Sequence, residues 1–292
     1  MGVENIRLPP TLELARPLNC LLAGVAVLIG AVVTVGHANI PGLTLISAFA
    51  AAALVAAGGN AINDYFDRKI DRINRPERPI PAGRIKASEA LIMAQVLFVL
   101  GVVLTVFLNP YCVLLAGFNA LVLASYAWGL KRRGLGGNFA IGYLVGSTFL
   151  FGGLATAHLR AGPLIPTELL VLVLMAALST VGRELIKSIQ DMRGDRKLGF
   201  KTFPLMHGAG KAAALAVGFM GAAIALSPLP YLLGIFGPQY LALVAASIAA
   251  FIAAAGLIAR SQEPKAAGQA SLACKIGMGL GLLAFLVGVF IL

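Results

Sequence analysis

The sequence predicts an all-α fold: a polytopic membrane bundle of nine transmembrane helices with an internal parallel repeat. Three observations carry this expectation. The 292 residues are 59% hydrophobic and only 12% charged, where an ordinary soluble domain carries about 25% charge. The mean hydropathy is +0.89, too high for a soluble fold, which needs polar residues to cover its surface. The apolar residues also gather into runs of roughly the 20 residues that a helix needs to cross a bilayer. Disorder is excluded by the same composition, because disordered chains are poor in apolar residues. Cys20, Cys112 and Cys274 lie far apart and form neither a disulfide framework nor a metal-ligand spacing. The formal charge of +11 fits basic loops facing an anionic leaflet. Membrane lipids are therefore the expected surroundings; no nucleic acid and no obligate protein partner are expected.

The runs are 15–36, 43–66, 87–108, 111–130, 138–158, 167–190, 210–228, 239–259 and 270–292. They make residues 1–292 one transmembrane domain and leave no room for a soluble one. The first follows Arg16-Pro17 and precedes further spans with no small-residue cleavage site, so it reads as a retained helix and not a signal peptide. Every one of the 23 Lys and Arg residues except Arg160, and every one of the 12 acids except Glu168, falls on the side of the N-terminus. Positively charged segments stay in the cytoplasm, which puts the N-terminus inside and Leu292 outside. The opposite connectors, His37 to Pro41, Asn109-Pro110 and Pro228 to Pro238, are short and nearly uncharged. An active site is expected at the cytoplasmic face. A cation transporter would need polar pathways to both faces, and the one-sided charge disfavours it.

The second span ends in Gly59-Asn60-Ala61-Ile62-Asn63-Asp64-Tyr65-Phe66-Asp67-Arg68-Lys69-Ile70-Asp71. At 100° per residue, Asn60, Asp64, Asp67 and Asp71 fall within about 60° of one another; Asn63, Asp67 and Asp71, spaced four apart, align almost as well. Side by side these carboxylates repel unless something positive sits between them. The sixth span ends in Gly182-Arg183-Glu184 through Gly194-Asp195. Glu184, Lys187, Asp191 and Asp195 cluster within about 80° if the helix persists to Gly194. Glu184 and Lys187 lie inside the apolar run, where ionisable groups face the bundle interior and serve function; Glu184 is a possible partner for Lys187. Each acidic end is followed by basic residues, a Pro, a Gly and a Lys: Arg78, Pro79, Pro81, Gly83 and Lys86, then Lys201, Pro204, Gly208 and Lys211. This is a duplicated helical unit whose two acidic ends are expected to face each other.

A single juxtamembrane Asp is usually a solvated helix end. A paired, in-phase pattern that occurs twice is better explained by metal binding. Mg²⁺ takes carboxylate oxygens and keeps waters and substrate phosphates, so two such clusters would bridge a diphosphate while Arg and Lys neutralise the remaining oxygens. The chemistry expected is ionisation of an isoprenyl diphosphate within the membrane and capture of the allylic cation. His37, His158 and His207 are scattered and read as surface or loop residues. Tyr126 and Trp128 fit an interfacial aromatic belt as well as a substrate contact.

At these residues the chain resembles the UbiA superfamily of intramembrane prenyltransferases. Asn63, Asp64, Asp67 and Asp71 match that family's first motif, N-D-x-x-D-x-x-x-D; Asp191 and Asp195 match its second, D-x-x-x-D. Asn74 to Gly83 is similar to its post-motif loop, Arg16-Pro17-Leu18-Asn19 to its R-P-x-N, and Tyr126 to Lys131 to its Y-x-x-x-x-K. The second region is most similar to the archaeal branch that adds the second ether-linked lipid chain, departing at Ser188, where that branch commonly has Asp. The resemblance implies Mg²⁺ held by Asn60, Asn63, Asp64, Asp67, Asp71, Asp191 and Asp195, with Asp67, Asp71, Asp191 and Asp195 catalytic. It implies substrate contacts at Arg16, Asn19, Arg68, Arg78, Tyr126, Lys131, Glu184 and Lys187. The implied donor is geranylgeranyl diphosphate, an isoprenyl diphosphate, and the implied acceptor a lipid phosphate, geranylgeranylglyceryl phosphate. The alternative is an aromatic acceptor such as 4-hydroxybenzoate or another quinone precursor. A CDP-alcohol phosphotransferase would show D-G-x-x-A-R, a string this chain lacks.

Overall fold

Proline at the first helical position sets many of the helix starts, where its missing N–H costs nothing and its fixed φ suits the helix. In the computed structural model, which describes residues 8–36 and 40–290 apart from the side chains of Asn74 and Phe290, such prolines open α1 (Pro10–Ala15), α2 (Pro17–Val35), α5 (Pro110–Trp128), α11 (Pro238–Arg260) and α12 (Pro264–Phe290). The other helices are α3 (Gly42–Asn74), α4 (Ala87–Thr105), α6 (Gly136–Thr156), α7 (Thr167–Lys197), α8 (Phe203–His207), α9 (Ala209–Leu226) and α10 (Leu229–Leu232). Among the described residues, nine helices are long and apolar enough to cross a membrane, as the sequence predicts.

Three helix ends differ from the apolar runs by more than three residues. α3 and α7 continue past residues 66 and 190 to Asn74 and Lys197, carrying both acidic motifs on regular helix. α12 begins at Pro264 and not at 270. Hydropathy marks where apolar side chains stop; the backbone ladder continues through polar residues until a cap or breaker intervenes. His37 and Leu292 lie outside the described residues. His158 and His207 are exposed, His207 with its ring 4.6 Å from that of Phe203.

The chain divides into two compact units, Met1–Val25 with Leu43–Trp128, and Ala26–Gly42 with Gly129–Leu292. In the first, α3 packs on α4 and α5 through small residues, and Ala61, Ile62, Ala94 and Ala127 form a core beneath Tyr65 and Phe66. In the second, α7 is central: Leu185, Ile186 and Ile189 are buried with Ala212, Ala216 and Met220 of α9, Ile258 of α11 and Cys274 of α12. The end of α2 meets α6 backbone to backbone. A Cβ at Gly152 would stand 1.8 Å from the Val27 carbonyl oxygen, and one at Gly30 would stand 2.0 Å from that of Phe149. Only glycine permits this reciprocal approach, the usual way membrane helices gain packing contact.

The repeat is visible within each unit. α3 (33 residues) and α7 (31 residues) are the longest helices of their units. Each leads into a loop with a left-handed glycine, Gly83 at φ 72° or Gly199 at φ 69°, and then a further apolar helix. One feature the sequence does not predict is a short parallel ladder of β1 (Arg133–Gly134) and β2 (Lys201–Thr202), pairing Arg133 with Lys201 and Gly134 with Thr202.

Candidate functional site

The acidic end of α3 is organised by arginines from outside that helix. Arg16 ends α1 in the left-handed region, at φ 53° and ψ 73°, the one non-glycine residue with positive φ among those described. Its position before Pro17 disfavours the right-handed helical region, and the left-handed form costs about 1–2 kcal/mol. The Arg16 guanidinium donates a hydrogen bond to Asp64. Asn60 fastens α1 in place, its Nδ2 donating to the Ala15 carbonyl at 2.9 Å. Arg78 Nη1 donates both to Asp64 Oδ1 at 3.1 Å and to Asp71 Oδ2 at 2.8 Å, bridging two carboxylates two helical turns apart. Asp64 and Asp71 are only 4% and 6% exposed, so this compensation is what permits two buried charges.

The loop that carries Arg78 is itself folded. Ala82 N–H donates to the Arg78 carbonyl at 2.9 Å, and Arg84 N–H to that of Pro79 at 3.0 Å. Arg84 then pairs with Glu13 of α1 at 2.7 Å and donates to the Glu77 carbonyl at 2.9 Å. Half-buried Asp67 accepts from Asn63 Nδ2 at 3.0 Å. Arg68 lies 4.4 Å over the Tyr65 ring and donates to the Tyr65 carbonyl at 2.7 Å. Asn19 is exposed on the first turn of α2, and Tyr126 is half-buried near the end of α5.

The acidic end of α7 is built differently. Its buried acid is Glu184, 7% exposed, and its partner is the adjacent Arg183 and not Lys187. Lys187 is half-buried, one helical turn before Asp191. Ser188 Oγ donates to the Glu184 carbonyl at 2.9 Å and accepts from Asn138 Nδ2 of α6 at 3.1 Å. Asp191 is exposed and Asp195 half-buried. The loop after α7 folds back, with Phe200 N–H on the Asp195 carbonyl at 3.0 Å. The β1–β2 ladder joins that loop to the basic turn Leu130–Arg132, which holds half-buried Lys131, and Arg132 sits 5.2 Å over the Phe200 ring.

The donor set suits a hard divalent cation: carboxylates and side-chain amide oxygens, without a thiolate or imidazole. Among the described residues no three acidic, His or Cys side chains converge into a ready cage. Mg²⁺ needs none, since it binds through one or two carboxylates together with water and substrate phosphates. Sequence reasoning missed Arg183 as the partner of Glu184, although the two are adjacent. It also missed Asn138 beneath Ser188, the Arg84–Glu13 pair and the β1–β2 ladder, for which the sequence offers no local signal.

Comparison with known proteins identifies the family. The profile of the UbiA prenyltransferase family matches residues 23–291. Digeranylgeranylglyceryl phosphate synthase of Methanopyrus kandleri is 42% identical over 276 residues, 94% of this chain and 97% of that one. A solved structure of a digeranylgeranylglyceryl phosphate synthase is 41% identical and superposes with a TM-score of 0.80, covering 97% of this chain and 98% of that one. A UbiA homologue from Archaeoglobus fulgidus, solved with DMAPP and Mg²⁺ bound, shares the fold at 16% identity and a TM-score of 0.63, covering 95% of this chain and 99% of that one.

Proposed function

This chain belongs to the UbiA prenyltransferase family, and we propose that it moves a geranylgeranyl group from geranylgeranyl diphosphate to the free hydroxyl of geranylgeranylglyceryl phosphate. That step makes the second ether bond of an archaeal membrane lipid. The observation that carries this reading is the likeness, along nearly the whole of both chains, to proteins named digeranylgeranylglyceryl phosphate synthase. The enzyme is a multi-pass membrane protein, and the proposed working face is cytoplasmic, where the basic residues gather.

Asn60, Asn63, Asp64, Asp67, Asp71, Asp191 and Asp195 are the residues that would hold Mg²⁺, with Asp67, Asp71, Asp191 and Asp195 the catalytic set. When bound, the ion supplies positive charge against which a diphosphate departs. Arg16, Arg68, Arg78, Lys131 and Lys187 contribute guanidinium and ammonium donors to the phosphate oxygens of the two substrates. Asn19, Tyr126 and Glu184 complete the proposed substrate contacts. The bond between the allylic carbon and the diphosphate oxygen breaks with its electron pair leaving on the diphosphate. The acceptor hydroxyl oxygen then bonds to the allylic carbon and passes its proton to the released diphosphate. No protein nucleophile is needed, and the apolar helices shield the cation from water.

A panel of acceptors with one donor tests this directly. Geranylgeranylglyceryl phosphate should be prenylated with release of diphosphate, while its dephosphorylated alcohol and 4-hydroxybenzoate should react far more slowly. Efficient prenylation of 4-hydroxybenzoate with none of the glyceryl phosphate would replace the acceptor and leave the prenyltransferase reading standing.

A further inference from the structure

The arginines at the end of α3 stand where a divalent cation would be expected. Asp64 accepts from both Arg16 and Arg78, and Asp71 accepts from Arg78, so the two buried carboxylates are already neutralised. Neither arginine is carried on a membrane-spanning stretch of helix. Arg78 belongs to the turn between α3 and α4, and Arg16 is the left-handed joint between α1 and α2. Holding a residue in a sparsely populated backbone region is typical of sites where the local strain has a task. A guanidinium binds carboxylate and phosphate with the same planar fork of donors, so either partner satisfies it. A bare cation approaching Asp64 must displace these donors and then lies beside two positive charges. A cation arriving with a diphosphate brings the oxygens to which those charges can pass.

We propose that Arg16 and Arg78 are internal counter-ions that close the α3 carboxylates to a bare divalent cation and pass to diphosphate oxygens when metal and diphosphate bind together. The inference rests on the reading of this stripe as a metal and diphosphate site. It makes the two ligands strongly and reciprocally coupled and ties opening of the stripe to arrival of the donor's charged head.

Mn²⁺ titration of the purified, chelator-stripped enzyme, followed by electron paramagnetic resonance with and without inorganic diphosphate, reads this coupling without turnover. Wild-type protein should bind Mn²⁺ weakly alone and much more tightly with diphosphate. Arg16→Gln or Arg78→Gln should tighten binding of Mn²⁺ alone by about tenfold, the effect on a carboxylate of removing an adjacent arginine, and should shrink the gain from diphosphate. Arg78→Gln strands buried Asp71, leaving Arg16 on Asp64 alone, and risks misfolding; Arg16→Gln leaves Arg78 on both, so it keeps the test decisive. Binding of Mn²⁺ alone that is unchanged or weaker in Arg16→Gln would overturn the inference, as would wild-type binding that ignores diphosphate. Asp67→Asn separates the two levels. If it leaves binding of Mn²⁺ with diphosphate intact, the metal reading of the stripe fails and the inference falls with it; the arginine result alone removes only the inference.

Discussion

At the end of α3, buried Asp64 and Asp71 share Arg16 and Arg78; at the end of α7, Asp191 is exposed, Asp195 is half-buried, and the buried acid is Glu184 beside Arg183. Aligning Asp67 and Asp71 with Asp191 and Asp195 puts Asn60 at Glu184, Asn63 at Lys187 and Asp64 at Ser188. The copy that keeps an acid at this last position recruits cations from α1 and from the loop after α3. The copy with serine carries no charge at that position and satisfies the hydroxyl with Asn138, pairing its buried Glu184 with the adjacent Arg183. Duplicated motifs with the same terminal carboxylates thus solve their charge problem separately: one draws on flanking segments, the other on α7 and α6. The first end is consequently the more sensitive to its surroundings.

The largest test of the pairing is all-or-none. Cysteine labels placed in 75–86 and in 196–202 should both react only from the cytoplasmic side, as the basic loops require. Labelling from opposite sides would break the comparison, because the two ends could not then serve one reaction. A second test concerns stability without metal. Asp64→Asn should lower the stability of the chelator-treated protein by about 3 kcal/mol, because it leaves half-buried Arg16 and Arg78 short of a partner. Asp191→Asn, at an exposed position, should stay within about 0.5 kcal/mol of wild type. Thermal melting of both variants in detergent with EDTA measures the difference; equal melting points would remove the asymmetry. A smaller loss than that of Asp64→Asn is expected from Asn138→Ala, which deletes one hydrogen bond to Ser188 and should cost about 1 kcal/mol in the same melting assay.

Much of this was legible in the sequence. The nine apolar runs correspond to nine helices of spanning length among the described residues, because lipid demands length and apolarity from every crossing helix. The two acidic stripes were legible from helical phase, since residues three and four apart share a face. Charge compensation was not. Spacing shows that Asp64 and Asp71 repel, but not that Arg16, 48 residues before Asp64, turns back onto it. The left-handed joint that aims Arg16 depends on tertiary contacts, among them Asn60 on the Ala15 carbonyl. Helical phase also favoured Lys187 as the partner of Glu184, whereas the longer reach of Arg183 allows an adjacent residue to pair. The run past residues 66 and 190 was invisible to hydropathy for a simpler reason: helix and membrane end at different places.

The central claim is that both acidic ends serve a single transfer. The measurement that tests it most directly is diphosphate release from geranylgeranyl diphosphate, with geranylgeranylglyceryl phosphate as acceptor, by Asp67→Asn, Asp191→Asn and the double variant, each shown to be folded. Each single variant should lose turnover by on the order of 10²–10³-fold or more, and the double variant should be no worse than the poorer single one, as for groups acting as a unit. Near-wild-type turnover in either single variant, or losses that multiply in the double, would contradict it.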